Sequence, residues 1–106
     1  MEKVIREGKV AVLYSPGFGS GWYTWNNPHK ELLFHPKLVE MVESNKQDEI
    51  DEDWIKENLN IDNHIYCGGA LDLRIGWLDE GTRFRVEDYD GSESIVIIND
   101  NTTIIA

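Results

Sequence analysis

The stretch Val10-Ala11-Val12-Leu13-Tyr14-Ser15-Pro16-Gly17-Phe18-Gly19-Ser20-Gly21-Trp22-Tyr23-Thr24-Trp25-Asn26 decides how this chain is read. Its first five residues are an unbroken apolar run of β-forming character, which suits a central strand covered on both faces. Pro16 cannot donate to a ladder and ends that strand. The residues that follow, from Ser15 to Asn26, hold three glycines, three Ser or Thr hydroxyls and four aromatic rings. Glycine allows close backbone approach, and successive N–H groups in such a loop form a concave anion-binding nest. The rings offer flat faces. The loop therefore reads either as a cradle for a flat ligand or as a rigid plug that closes the core.

Working outward, the polar residues 1–9 end in Glu7-Gly8-Lys9, a turn signal ahead of the strand. Downstream, Asn26-Asn27-Pro28 breaks the chain. Pro28 suits the first position of a short helix holding Lys30, Glu31, Leu32, Leu33 and Phe34. Pro36 starts a second segment in which Leu38, Val39, Met41 and Val42 share one helical stripe. Residues 48–58 are a further helical candidate, with carboxylates in the first turn where they complement the helix dipole.

From residue 62 the period changes to two. Ile65-Tyr66-Cys67 reads as a short strand. Leu71, Leu73, Ile75 and Trp77 alternate with polar or small residues, the pattern of a half-buried strand. Asp79-Glu80-Gly81 reads as a hairpin turn leading into Phe84 and Val86. Tyr89-Asp90-Gly91-Ser92 turns again, residues 94–98 make another strand, and Asn99-Asp100-Asn101 precedes a last strand at 102–105. The expected architecture is α+β: an N-terminal strand, the Gly/Trp-rich loop, and a two-helix insertion packed on a mainly antiparallel sheet of about four to five strands.

The totals narrow the function. At 106 residues the chain reads as a single domain, 1–106, with a modest buried fraction that leaves homo-oligomerisation open. Twenty acidic against ten basic residues give a formal net charge of −10. That balance argues against direct nucleic-acid or anionic-membrane binding and is compatible with a basic partner. The single cysteine, Cys67, excludes an internal disulfide and suits a reducing cytoplasm. No apolar run approaches the ~20 residues of a membrane span, and the start carries no signal core.

Three constellations compete with the loop. If the strands around Ile75 and Phe84 pair, Arg74, Arg83 and Arg85 project from one face, where guanidinium groups can grip phosphate. Alternatively, they pair across strands with Asp72 and Glu87 on a solvated face. The acidic block Glu40, Glu43, Asp48, Glu49, Asp51, Glu52, Asp53 and Glu57 could mimic a phosphate backbone, or simply solvate a helix. His64-x-x-Cys67 is too sparse for structural zinc, and Cys67 reads as a small buried hydrophobe rather than a nucleophile. No metal, cofactor or catalytic residue is expected.

The run from Ser15 to Asn26, then Leu32-Leu33-Phe34 and the helix from Pro36, then Gly68-Gly69-Ala70-Leu71-Asp72-Leu73 and Tyr89-Asp90-Gly91-Ser92-Glu93-Ser94, resembles a group of small acidic proteins carried by phages and prophages. The resemblance spans residues 10–94 and implies no catalytic residue. It implies a binding role against host defence. Two forms of that role stand. The first is a non-enzymatic sponge for a small nucleotide signal, held by Ser15, Gly17, Phe18, Gly19, Ser20, Gly21, Trp22, Trp25 and Asn26 with Arg74, Arg83 and Arg85. The second is an acidic inhibitor of a nucleic-acid-binding host defence protein.

Overall fold

The computed structural model describes residues 1–18, 21–26, 29–61, 64–98 and 104–106. Gly19 and Ser20 of the expected ligand loop, Asn27, Pro28, and the turn at 99–101 with Thr102 and Thr103 lie outside those residues.

The apolar run forms β2 (Lys9–Tyr14), the middle strand of an antiparallel sheet ordered β1-β2-β3, with β1 at Ile5–Arg6 and β3 at Arg74–Asp79. Glu7 and Gly8 both take positive φ between β1 and β2, the primed two-residue turn that matches strand twist. Val10, Ala11, Val12 and Leu13 are wholly buried, so both faces of the strand are covered as its composition requires. The Val and Leu side chains among them each contribute about 1.5–3 kcal/mol by leaving water.

Helices α1 (Glu31–Phe34) and α2 (Pro36–Glu43) pack against β2 and β3. Pro36 sits in the first turn of α2, and His35 Nδ1 accepts a hydrogen bond from the Lys37 amide at 3.1 Å. Leu38, Val39 and Val42 of the expected stripe are buried. After a 3-10 turn at Gln47–Glu49, Asp51 caps α3 (Glu52–Leu59) by accepting from Trp54 N at 2.8 Å. Asn60, in the left-handed region, ends that helix.

The second antiparallel sheet has the order β5-β4-β6, with β4 at Arg83–Tyr89, β5 at Ser92–Ile97 and β6 at Ile104–Ile105. Asp90 and Gly91 make the expected tight turn between β4 and β5, both at positive φ. Phe84 of β4 meets Phe34 of α1 edge-on, with ring centroids 6.2 Å apart. Gly76 of β3 lets the two sheets approach, since a Cβ there would stand 2.8 Å from Ile95 Cδ1.

The chain is thus α+β, and the six strands among the described residues are divided between two sheets. Three local expectations change. β3 pairs with β2 over six residues, from Lys9 opposite Asp79 to Tyr14 opposite Arg74, and not with β4. The connection at 80–82 instead turns the chain into the second sheet. There Gly81 N donates to Ala106 O and Ala106 N donates to Thr82 O. Leu71 is exposed in a 3-10 turn, Ala70–Asp72, and β3 begins only at Arg74. Ile65-Tyr66-Cys67 joins no strand, because the side chain of Asn26 takes the place of one. Asn26 Oδ1 accepts from Tyr66 N at 2.8 Å, and its Nδ2 donates to Tyr66 O at 2.9 Å.

Candidate functional site

Amides of the loop from Ser15 to Asn26 converge on an anion, and the anion belongs to the chain itself. Glu93 is only 2% exposed. One carboxylate oxygen accepts from Ser15 N at 2.9 Å. The other accepts from Trp22 N at 3.0 Å, Thr24 N at 2.9 Å and Thr24 Oγ1 at 2.7 Å. The Glu93 amide returns a bond to Ser15 O at 2.8 Å. A buried carboxylate is costly unless it is fully hydrogen-bonded, and here four donors converge on it.

The same clasp holds the surrounding side chains. Ser15 Oγ donates to Gly69 O and Ser92 Oγ to Pro16 O. The exposed Asp72 carboxylate lies where a Cβ on Gly17 would be, so a side chain there would have to displace it. Trp22 is wholly buried, its Nε1 donating to Leu32 O at 2.8 Å. Asn26 Nδ2 donates to Trp22 O at 2.8 Å. Ser15, Trp22 and Asn26, expected to hold a ligand, are structural here, and Trp22 offers no face on which a base could stack.

The loop's other side faces outward. Phe18 is 74% and Trp25 45% exposed. Trp25 stacks on Tyr66, with centroids 5.4 Å apart and planes at 29°, and its Nε1 donates to Asp88 Oδ2 at 3.1 Å. Tyr66 also lines a cleft of about 410 Å³ between residues 47–52 and 64–71. Ile50, Ile65, Ala70 and Leu71 give this cleft apolar walls, and Asp48, Asp51 and Glu52 edge it with carboxylates. Leu71, on the cleft's wall, is itself 67% exposed. The result is an aromatic and aliphatic surface with an acidic border.

The cleft's chemistry is electrostatic rather than nucleophilic. His64 Nδ1 lies 2.9 Å from Glu52 Oε2, and Lys56 Nζ lies 3.4 Å from Glu52 Oε1. The hydrogen bond from His64, helped by Lys56, holds the Glu52 carboxyl below its ordinary range. The Cys67 thiol is pushed up to about 11, first by burial and then by Asp51 and Glu52. Such a thiol is inert at neutral pH. Among the described residues, no group of three or more His, Cys, Asp or Glu side chains could hold a metal ion.

The three arginines do not gather. Arg74 opens β3 opposite Tyr14 in the first sheet. Arg83 and Arg85 lie on β4 in the second, and Arg85 Nε donates to Glu87 Oε2 at 2.6 Å. None of them lines the cleft. Their expected common face required β3 and β4 to pair, so it is lost with that pairing.

Sequence reasoning missed Glu93, Tyr66 and Leu71. Glu93 shares strand parity with Ile95, and an inward-pointing carboxylate beside a glycine loop is a readable signal. Tyr66 and Leu71 were assigned to strands, which concealed their exposure. No helix among the described residues is long and apolar enough to cross a membrane. Comparison with protein-family models, with curated proteins and with solved structures finds no match to this chain.

Proposed function

We propose that this is a non-enzymatic binding protein that docks a basic polypeptide partner on its aromatic, acid-bordered face. The carrying observation is the half-exposed Trp25–Tyr66 stack beside a cleft edged by Asp48, Asp51 and Glu52. Exposed aromatics at the centre of a patch are the residues that anchor protein interfaces, and surrounding charge steers a partner of opposite sign. A net charge of −10 acts in the same direction. In this reading the partner is a nucleic-acid-binding protein of a host's defence, the role implied by the resemblance to phage-carried proteins.

The nucleotide-sponge reading has less support. Of the loop's amides, those of Ser15, Trp22 and Thr24 are taken by Glu93; of its two candidate stacking rings Trp22 is buried and Trp25 exposed; and its arginines are divided between two sheets. A phosphate approaching the cleft would meet carboxylates.

The two readings separate in a titration followed by tryptophan fluorescence. Nona-arginine is expected to quench the signal and to weaken steeply as salt rises. Trp25→Ala, and separately the combined Asp48→Asn, Asp51→Asn and Glu52→Gln change, should each reduce its affinity about tenfold. Quenching by cyclic or linear nucleotides that depends on Trp25, without a response to nona-arginine, would reverse the choice.

A further inference from the structure

The first sheet has two edge strands, β1 of two residues and β3 of six, and among the described residues β3 pairs with β2 alone. Among the described residues, no backbone hydrogen bond from another segment reaches the outer side of Ile75, Gly76, Trp77 or Leu78. Exposure agrees. The central strand is wholly buried from Val10 to Leu13, whereas Gly76, which has only main chain to expose, is partly accessible. Trp77 is 36% exposed. Open edges are usually protected by proline, a bulge or an inward charge, and four successive uncharged residues here carry none of these.

We propose that this edge of β3 pairs antiparallel with the same edge of a second copy of this chain, extending the sheet across a two-fold axis. The register follows from geometry. Antiparallel pairing about a two-fold axis keeps the faces of the joined sheet continuous, so opposed residues must come from the same face of the strand. Ile75, Trp77 and Asp79 share one face; Arg74, Gly76 and Leu78 share the other. Centring the axis on Trp77 places the two Trp77 rings side by side and Gly76 opposite Leu78, small against large. It also sets Arg74 opposite Glu80 at both ends, so the edge is complementary in charge to itself. Centring it on Gly76 would set Arg74 against Leu78 and leave that match unmade. A shallow dent of about 320 Å³ is formed on this sheet by Arg6, Glu7, Lys9 and Trp77, with Arg6 5.4 Å from the indole ring.

Analytical ultracentrifugation of the full chain is the first test. The weight-average mass is expected to climb from 12.2 kDa toward twice that value between micromolar and hundreds of micromolar protein. The second test fixes the surface. In a Cys67→Ser background, Trp77→Cys should oxidise rapidly to an interchain disulfide, because residues opposed at the axis lie within bridging reach. Tyr89→Cys, at an exposed position on the other sheet, should cross-link far more slowly. Circular dichroism confirms that both variants are folded. A mass that stays at one chain throughout overturns the proposal. So does a dimer in which Trp77→Cys cross-links no faster than Tyr89→Cys. Neither result bears on nona-arginine binding, which uses a different face.

Discussion

Trp22 and Trp25 are one helical turn apart in sequence and belong to different worlds. Trp22 is sealed in the core, its indole N–H given to Leu32 O and its backbone amide to Glu93. Trp25 lies half in solvent, flat against Tyr66. One loop thus has an inner side that holds two sheets together and an outer side free to bind. What divides them is the Glu93 carboxylate, which draws the amides of Ser15, Trp22 and Thr24 inward and leaves the Phe18 and Trp25 side chains outside. A motif rich in glycine and tryptophan can therefore put one indole in the core and another at the surface, and its composition does not say which is which.

The largest expected effect comes from breaking the inner side. Glu93→Gln keeps the shape but sets an amide NH₂ against backbone donors, a loss of about 3 kcal/mol. For a domain of this size the melting temperature should fall by about 10–20 °C. A thermal melt within about 2 °C of the parent would show that the clasp does not hold the fold. Next, Trp22→Phe should cost about 2 kcal/mol, through lost volume and the orphaned Leu32 carbonyl. Trp25→Phe should stay within about 0.5 kcal/mol while weakening nona-arginine binding, as surface changes usually do little to stability. Equal destabilisation in urea by the two substitutions would erase the distinction between the sides.

The smallest effect probes the outer cleft. Cys67 should react with iodoacetamide about a hundredfold more slowly than an ordinary thiol at pH 7.5, its rate still rising toward pH 11. Neutralising Asp51 and Glu52 together should recover only part of that factor, because burial is the larger cause. Full reactivity at neutral pH would mean that the cleft is neither as closed nor as negative as the structure shows.

Much of the fold was legible from local chemistry. The unbroken apolar run of residues 10–14 announced a strand buried on both faces, and β2 is that strand. Pro36 and the Leu38, Val39 and Val42 stripe announced α2. Asp90-Gly91 announced a tight turn, because positive φ there needs those residue types. The site was legible only in part. An anion held by this loop was readable from its composition, but neither the donors, which are Ser15, Trp22 and Thr24 and no glycine, nor the occupant was, since Glu93 is about seventy residues beyond them in the chain.

The sequence by itself determined the central strand β2, the helix from Pro36, the tight turn at Asp90-Gly91, and that the chain carries strong negative charge. These follow from side-chain period, backbone restriction and composition, all properties of neighbouring residues. Only the tertiary structure decided that β3 joins β2 instead of β4, that Asn26 replaces a strand partner for Tyr66, and that Trp22 is inside while Trp25 is out. Those choices depend on which distant groups satisfy each buried amide and carbonyl. A period-two pattern says that a strand has a covered face and leaves its neighbour unnamed.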